Sequence, residues 1–97
     1  MLLAVNVNNT NIKFGVVDGE RIVGEWRQHT SAMRTADEHA VWLMQLMQME
    51  GIDPKSITDA IIGSVVPQAN FNLRRLCSRY FNCRSEEHTS ELQSRET

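Results

Sequence analysis

Apolar and polar positions along the chain change period from one segment to the next. Leu2 to Val7 is a short apolar run rich in strand formers. Ile12, Phe14 and Val16 then alternate with Asn11, Lys13 and Gly15, the period-two pattern of a half-buried strand. Asp18-Gly19 follows, a strong hairpin signal, and Arg21 to Trp26 reads as a third strand. The opening segment is therefore expected to be an antiparallel meander. After the polar connection His29–Arg34 the period changes. Ala40, Leu43, Met44 and Met47 recur at helical spacing. Thr35 can cap that helix, and Glu38 three residues on completes a capping box. Gly51 supplies the stop. Val41, Trp42, Leu46 and Met49 widen the apolar stripe, which predicts cover on more than one side, by the sheet and by a partner chain. A methionine-rich stripe of this kind reads as core rather than as a ligand groove.

Ala60 to Pro67 is a nearly continuous apolar run, as expected of a strand buried on both faces, such as a parallel one. A second amphipathic helix follows, with Phe71, Leu73, Leu76, Cys77 and Phe81 as its apolar positions. The order β-β-β-α-β-α, three antiparallel strands followed by a crossover helix and a parallel strand, predicts an α/β fold. Its mixed sheet is expected to be of the ribonuclease H-like kind.

From Arg84 the pattern stops. Arg84–Thr97 contains one Leu, no aromatic residue and no periodic apolar face, which predicts disorder. The run R-S-E-E-H-T-S-E-L-Q-S, Arg84 to Ser94, is also what a common sequencing adapter encodes when read in frame. The expectation is thus a division into residues 1–83, an incomplete amino-terminal domain, and residues 84–97, a non-native tail to be set aside in fold reasoning. Glu86, Glu87 and His88 thereby lose any claim as metal ligands.

Composition narrows the function classes. The chain has 97 residues and a net charge of −2, room for one small core and no basic stripe for nucleic acid. No apolar run approaches the roughly 18 residues needed to cross a membrane, and the start lacks the basic region of a signal peptide. A cytoplasmic location is expected. Cys77 and Cys83 have no metal spacing and are expected to be free thiols in a reducing compartment.

The segment with the most chemistry is the first turn, "NVNNTN", Asn6 to Asn11. A strand that doubles back there gathers backbone N–H groups, side-chain amides and the Thr10 hydroxyl at one spot, a concavity suited to phosphate oxygens. Asn8 and Asn9 tolerate positive φ, so they could form a turn usually given to glycine. Lys13 shares a strand face with Asn11 and could bring a positive charge. The competing reading is an Asx-rich hairpin that satisfies only its own backbone. Ser64, at the end of a buried strand, lies where ligands gather in α/β sheets, but no nucleophile elbow surrounds it. Arg34, Asp37, Glu38 and His39 read as helix capping, dipole and packing residues.

"MLLAVNVNNTNIKFGVVDGE", "RTADE" and "IIGSVVP", in this order, resemble the amino-terminal part of the type III pantothenate kinase family, within the acetate kinase/sugar kinase/actin-like superfamily. The resemblance covers Met1 to about Cys83. It implies that the first hairpin is the ATP phosphate motif usually written D-x-G-N-T-N. Asn6 then falls on its aspartate, Asn8 on its glycine, and Asn9, Thr10 and Asn11 match directly. The implied nucleotide-binding segment is Asn6, Val7, Asn8, Asn9, Thr10, Asn11, Ile12 and Lys13. The implied reaction is ATP-dependent phosphorylation of pantothenate to 4′-phosphopantothenate, the first step of coenzyme A synthesis. Mg2+, a monovalent cation (K+ or NH4+) and a homodimer are implied with it. Asn6 is expected to be only a weak Mg2+ ligand, through its carbonyl or a water, because it lacks the charge of an aspartate. No catalytic residue is expected in residues 1–83; the family's base and pantothenate segment come after Cys83. Two alternatives stay open: a non-catalytic nucleotide-binding regulator of the same fold, fed by Asn6, and a kinase of the same superfamily acting on another small substrate.

Overall fold

A computed structural model describes residues 1–89 of the chain. Strands β1 (Leu2–Val7), β2 (Asn11–Asp18) and β3 (Arg21–His29) form the expected antiparallel meander. β4 (Asp59–Ser64) lies parallel to β1, with Val7 opposite Ser64. A fifth strand, β5 (Ser85–Thr89), lies parallel to β4, so the sheet order is β3-β2-β1-β4-β5. Helix α1 (Ala36–Met49) makes the crossover from β3 to β4, and α2 (Pro67–Arg75) follows β4. The mixed sheet bears out the expected ribonuclease H-like fold class.

The expected disorder from Arg84 is corrected over Ser85–Thr89. β4 presents an edge of backbone donors and acceptors, and a strand can be held on such an edge by ladder hydrogen bonds without any apolar side chain. Residues 90–97, the rest of the expected tail, lie outside the described residues.

Local rules explain most element boundaries. The β2–β3 hairpin closes with two residues, and Gly19 at the first of them has φ 65°, as a type II′ turn requires. β3 carries one extra residue where the register shifts beside Val16 and Val17. The capping box of α1 is complete: the Glu38 amide donates to the Thr35 hydroxyl, and the Thr35 amide donates to the Glu38 carboxylate at 2.9 Å. Gly51, at φ 75°, ends the helix. α2 begins with Pro67 in its first turn and runs on into a π turn, Leu76–Tyr80.

Both helices cover one face of the sheet. Leu3, Val5, Val7, Ile12, Phe14, Val16, Ala60 and Ile62 from the strands meet Ala40, Leu43, Met47, Leu73, Leu76 and Cys77 from the helical segments, all buried. Phe14 sits centrally, tilted against His39 and Trp42 at ring separations of 6.0 and 5.4 Å. The other face of the sheet bears no helix among the described residues. β4 is accordingly buried on one side and only half-buried at Ile61 and Gly63 on the other, a correction to the expectation of burial on both faces. Phe71 is also corrected: it is 57% exposed and lies beneath the guanidinium groups of Arg74 and Arg75 rather than in the core.

Candidate phosphate-binding turn

β1 and β4 are parallel, so their carboxyl ends lie side by side, and the turn between β1 and β2 projects from that end of the sheet. This is the end at which ligands collect in open α/β sheets. Residues 8–10 make the connection. The Asn8 amide donates to the Asn11 carbonyl at 2.9 Å, closing the hairpin. Asn8, Asn9, Thr10 and Asn11 are all exposed. The backbone amides of Asn9 and Thr10 have no backbone acceptor among the described residues, and Thr10 Oγ1 has only a 3.5 Å contact from the Asn11 side-chain Nδ2. Such a set of open donors fits an anion.

The turn is not built the way its asparagines suggest. Asn82 is the sole non-glycine residue with positive φ among the described residues, so Asn8 and Asn9 keep ordinary backbone angles. The turn instead takes its shape from Thr30, just beyond β3. The Thr30 amide donates to the Thr10 carbonyl at 3.0 Å, and its hydroxyl donates to the Asn8 carbonyl at 2.7 Å. Thr30 is not singled out by any motif. The register finds it: Asn11 pairs with His29, so the next residue of the third strand's path lies opposite Thr10.

The other expected residues divide by face. Val7 and Ile12 point into the core and are fully buried, so they can offer a ligand only backbone. Asn6 and Lys13 are directly opposed on the uncovered face, next to Gly63 of β4. A Cβ built on Gly63 would lie 3.9 Å from Asn6 Oδ1, which places the Asn6 amide over that glycine. Lys13 faces Glu25 at 4.0 Å, with both side chains well exposed. An exposed pair at that limit contributes about 0–1 kcal/mol, so the ammonium can exchange Glu25 for a phosphate at little cost. Mg2+ is usually held by one or two protein oxygens, its own waters and substrate phosphates. The single neutral oxygen of Asn6 fits a water-mediated contact of that kind. No cluster of three or more His, Cys, Asp or Glu side chains fit to hold a metal occurs among the described residues.

Ser64 is buried and its hydroxyl accepts from the Val66 amide at 3.0 Å, bracing the entry to α2. His39 is buried against Phe14, and desolvation lowers its pKa to about 4, so it is a neutral packing residue. The hydrogen bond from the Thr35 amide, followed by that from the Thr35 hydroxyl, lowers the pKa of Glu38. Asp37 accepts from the Tyr80 hydroxyl, tying α1 to the π turn, and this bond raises the pKa of Tyr80. Cys77 and Cys83 are buried free thiols; burial pushes Cys77 up to about 12 and Cys83 upward as well.

The chain matches the family model of type III pantothenate kinase over residues 2–94. It is 54% identical over 83 residues to a type III pantothenate kinase of Paramagnetospirillum magneticum, covering 86% of this chain and 32% of that protein. With the enzyme of Rhodospirillum rubrum it shares 56% over 82 residues, 84% of this chain and 32% of that one. The chain thus spans about a third of the length of the curated relatives it matches. Among solved structures, it resembles a ROK hexokinase from Thermus thermophilus with a TM-score of 0.66 at 15% identity, over 92% of this chain and 35% of the other. YeaZ from Pseudomonas aeruginosa gives 0.62 at 10%, over 91% and 43%. These two share the fold. Set beside the matched model and the identities above 50%, they leave one assignment: the chain belongs to the type III pantothenate kinase family.

Proposed function

We propose that this chain is the ATP phosphate-binding part of a type III pantothenate kinase, residues 1–83 being part of its first domain. The full-length parent would phosphorylate pantothenate to 4′-phosphopantothenate in the cytoplasm. The observation that carries this reading is the exposed Asn8–Thr10 turn, with open amides and a hydroxyl at the carboxyl end of β1 and β4, in a chain of this family. Residues 84–97 are proposed to be foreign to the parent gene; different codons from the adapter's in the nucleotide sequence would overturn that.

Phosphoryl transfer depends mainly on positioning and on neutralising charge. Backbone amides of the turn and Thr10 Oγ1 would hold phosphate oxygens, and Lys13 would leave Glu25 to add a positive charge. Asn6 would orient a water of Mg2+, which supplies further charge neutralisation when bound. The base that takes the pantothenate hydroxyl proton, the pantothenate segment and a monovalent cation site (K+ or NH4+) are assigned to the parent's remaining chain. A homodimer is part of the same reading. The outer side of α1 leaves Val41 70% and Met49 75% exposed, and a hollow of about 740 Å³ lies between it and the loop through Ile52 and Pro54. Asn6, neutral where the family motif has aspartate, favours a second reading, a nucleotide-binding regulator without turnover.

The test is Thr10→Ala in the full-length parent, with ATP-dependent phosphorylation of pantothenate followed. A raised ATP KM or lowered kcat is expected. Unchanged kinetics would count against the turn, and ATP binding without turnover by the unmutated parent would favour the regulator.

A further inference from the structure

We infer that Thr30 is a positioning residue for the nucleotide phosphates, acting through the β1–β2 turn; this rests on the reading of that turn as the ATP site. Thr30 binds two carbonyls of the turn, Thr10 through its amide and Asn8 through its hydroxyl. A trans peptide is planar, with its C=O and N–H on opposite sides. Fixing the Asn8 carbonyl toward Thr30 therefore points the Asn9 N–H away from it. Fixing the Thr10 carbonyl does the same for the Asn11 N–H. The clamp thus occupies two carbonyls of the turn, those of Asn8 and Thr10, and turns the N–H groups on the far side of the same two peptides, Asn9 and Asn11, away from Thr30, the polarity an anion needs.

Thr30 is itself held. The Arg34 guanidinium donates to the His29 carbonyl at 2.6 Å, closing the segment 29–34 on itself. The next residue, Thr35, is locked by the capping box of α1. Thr30 therefore sits in a short segment tied at both ends: the Arg34 bond to the His29 carbonyl precedes it, and the capping box at Thr35 follows. The turn needs this support from outside, because its own backbone supplies one closing bond, from Asn8 to Asn11. Preorganised donors matter more than donors that must be ordered when the ligand arrives.

The experiment uses the full-length parent and compares Thr30→Val with Thr30→Ser. Valine keeps the β-branched shape and the backbone bond but deletes the hydroxyl; serine keeps the hydroxyl. Thr30→Val is expected to raise the ATP KM roughly two- to tenfold, the range for one lost hydrogen bond. The pantothenate KM should stay unchanged, and Thr30→Ser should stay near the unmutated value. Amide hydrogen exchange at Asn8, whose N–H closes the hairpin on the Asn11 carbonyl, should quicken in Thr30→Val and not in Thr30→Ser. A Thr30→Val enzyme with unchanged ATP KM, in a background where Thr10→Ala raises it, overturns the positioning role alone. Equal rises in both KM values, or serine as damaging as valine, overturn it too, since a general loss of structure would do that. If Thr10→Ala leaves ATP kinetics unchanged, the site reading falls and this inference with it.

Discussion

β2 and β5 are both strands of one sheet, held by opposite means. β2 places Ile12, Phe14 and Val16 on the covered face, each fully buried, and its neighbours on both sides are antiparallel. β5 reads Ser-Glu-Glu-His-Thr, with no apolar residue, and pairs with one neighbour. Its side-chain anchor is Glu87, opposite Ile62, which meets the Arg74 guanidinium of α2 at 3.1 Å. The first strand is specified by its own side chains, because a one-residue slip would turn its apolar set toward solvent. The second is specified by the edge it lies on. The turn between β1 and β2 grows from the strongly specified side of the sheet, where a fixed geometry is available to be used.

The sharpest way to break this contrast is to attack the specified side. Phe14 is fully buried and touches both His39 and Trp42. Phe14→Ala should cost about 3–5 kcal/mol, measured by denaturant unfolding of the 97-residue chain. A loss below about 1 kcal/mol would mean that the hairpin is not the centre of the core.

Acid attacks the same place from the helix side. The His39 pKa, lowered by burial from 6.5 to about 4, means that the fold accepts the neutral imidazole and resists the charged one. Its contribution to stability is complete above pH 6.5 and is lost as the pH falls from 6.5 towards 4, reaching about 3 kcal/mol at the acid limit. Glu38, exposed and lowered from 4.5, acts at lower pH, so the two can be separated. Unfolding followed from pH 7 to 4 should show the slope, and His39→Gln should flatten it. A slope that survives the substitution would assign it to other groups.

Much of this strongly specified region was legible in the sequence. Alternation at Ile12, Phe14 and Val16 fixed β2, Asp18-Gly19 fixed the hairpin, and Thr35 with Glu38 fixed the start of α1. Each signal is local, a period or a cap, and each agrees with the tertiary structure. What could not be read was non-local. β5 is made by the free edge of β4, which no residue of β5 announces. Thr30 acts on residues some twenty positions away, through register. Phe71 fits a helical apolar stripe, yet the helix turns it outward under Arg74 and Arg75. The asparagines of the turn suggested positive φ, and the chain solved the turn with hydrogen bonds from β3's continuation instead.

A subtler probe sits on β3, the edge of the sheet opposite β5, where Gly24 pairs with Val16 of β2. A Cβ on Gly24 would lie 2.6 and 2.8 Å from ring atoms of Trp26 and 2.9 Å from Ile52 Cδ1. The outer edge of the indole therefore lies against the glycine, with Ile52 from the loop after α1 beside it. Gly24→Ala should cost about 1–3 kcal/mol through overpacking and should shift the tryptophan fluorescence of the native state. Unchanged stability and emission would show that Trp26 has another low-energy position.

The smallest effect is expected at β5, and it is informative because it is small. Arg74 Nη1 donates to both carboxylate oxygens of Glu87, at 3.1 and 3.2 Å, with Arg74 about half exposed. An exposed pair of this kind contributes about 0–1 kcal/mol, and salt at 1 M, with a Debye length of about 3 Å, should remove most of it. Arg74→Ala should therefore barely move global unfolding. It should instead quicken amide exchange in Ser85–Thr89 while leaving Asn11–Asp18 untouched, because local opening of an edge strand does not require the core to open. High salt should reproduce the effect in the unmutated chain. If Arg74→Ala instead lowers global stability by as much as Gly24→Ala, β5 is part of the cooperative core, and the contrast between its edge and the β1–β2 hairpin does not hold.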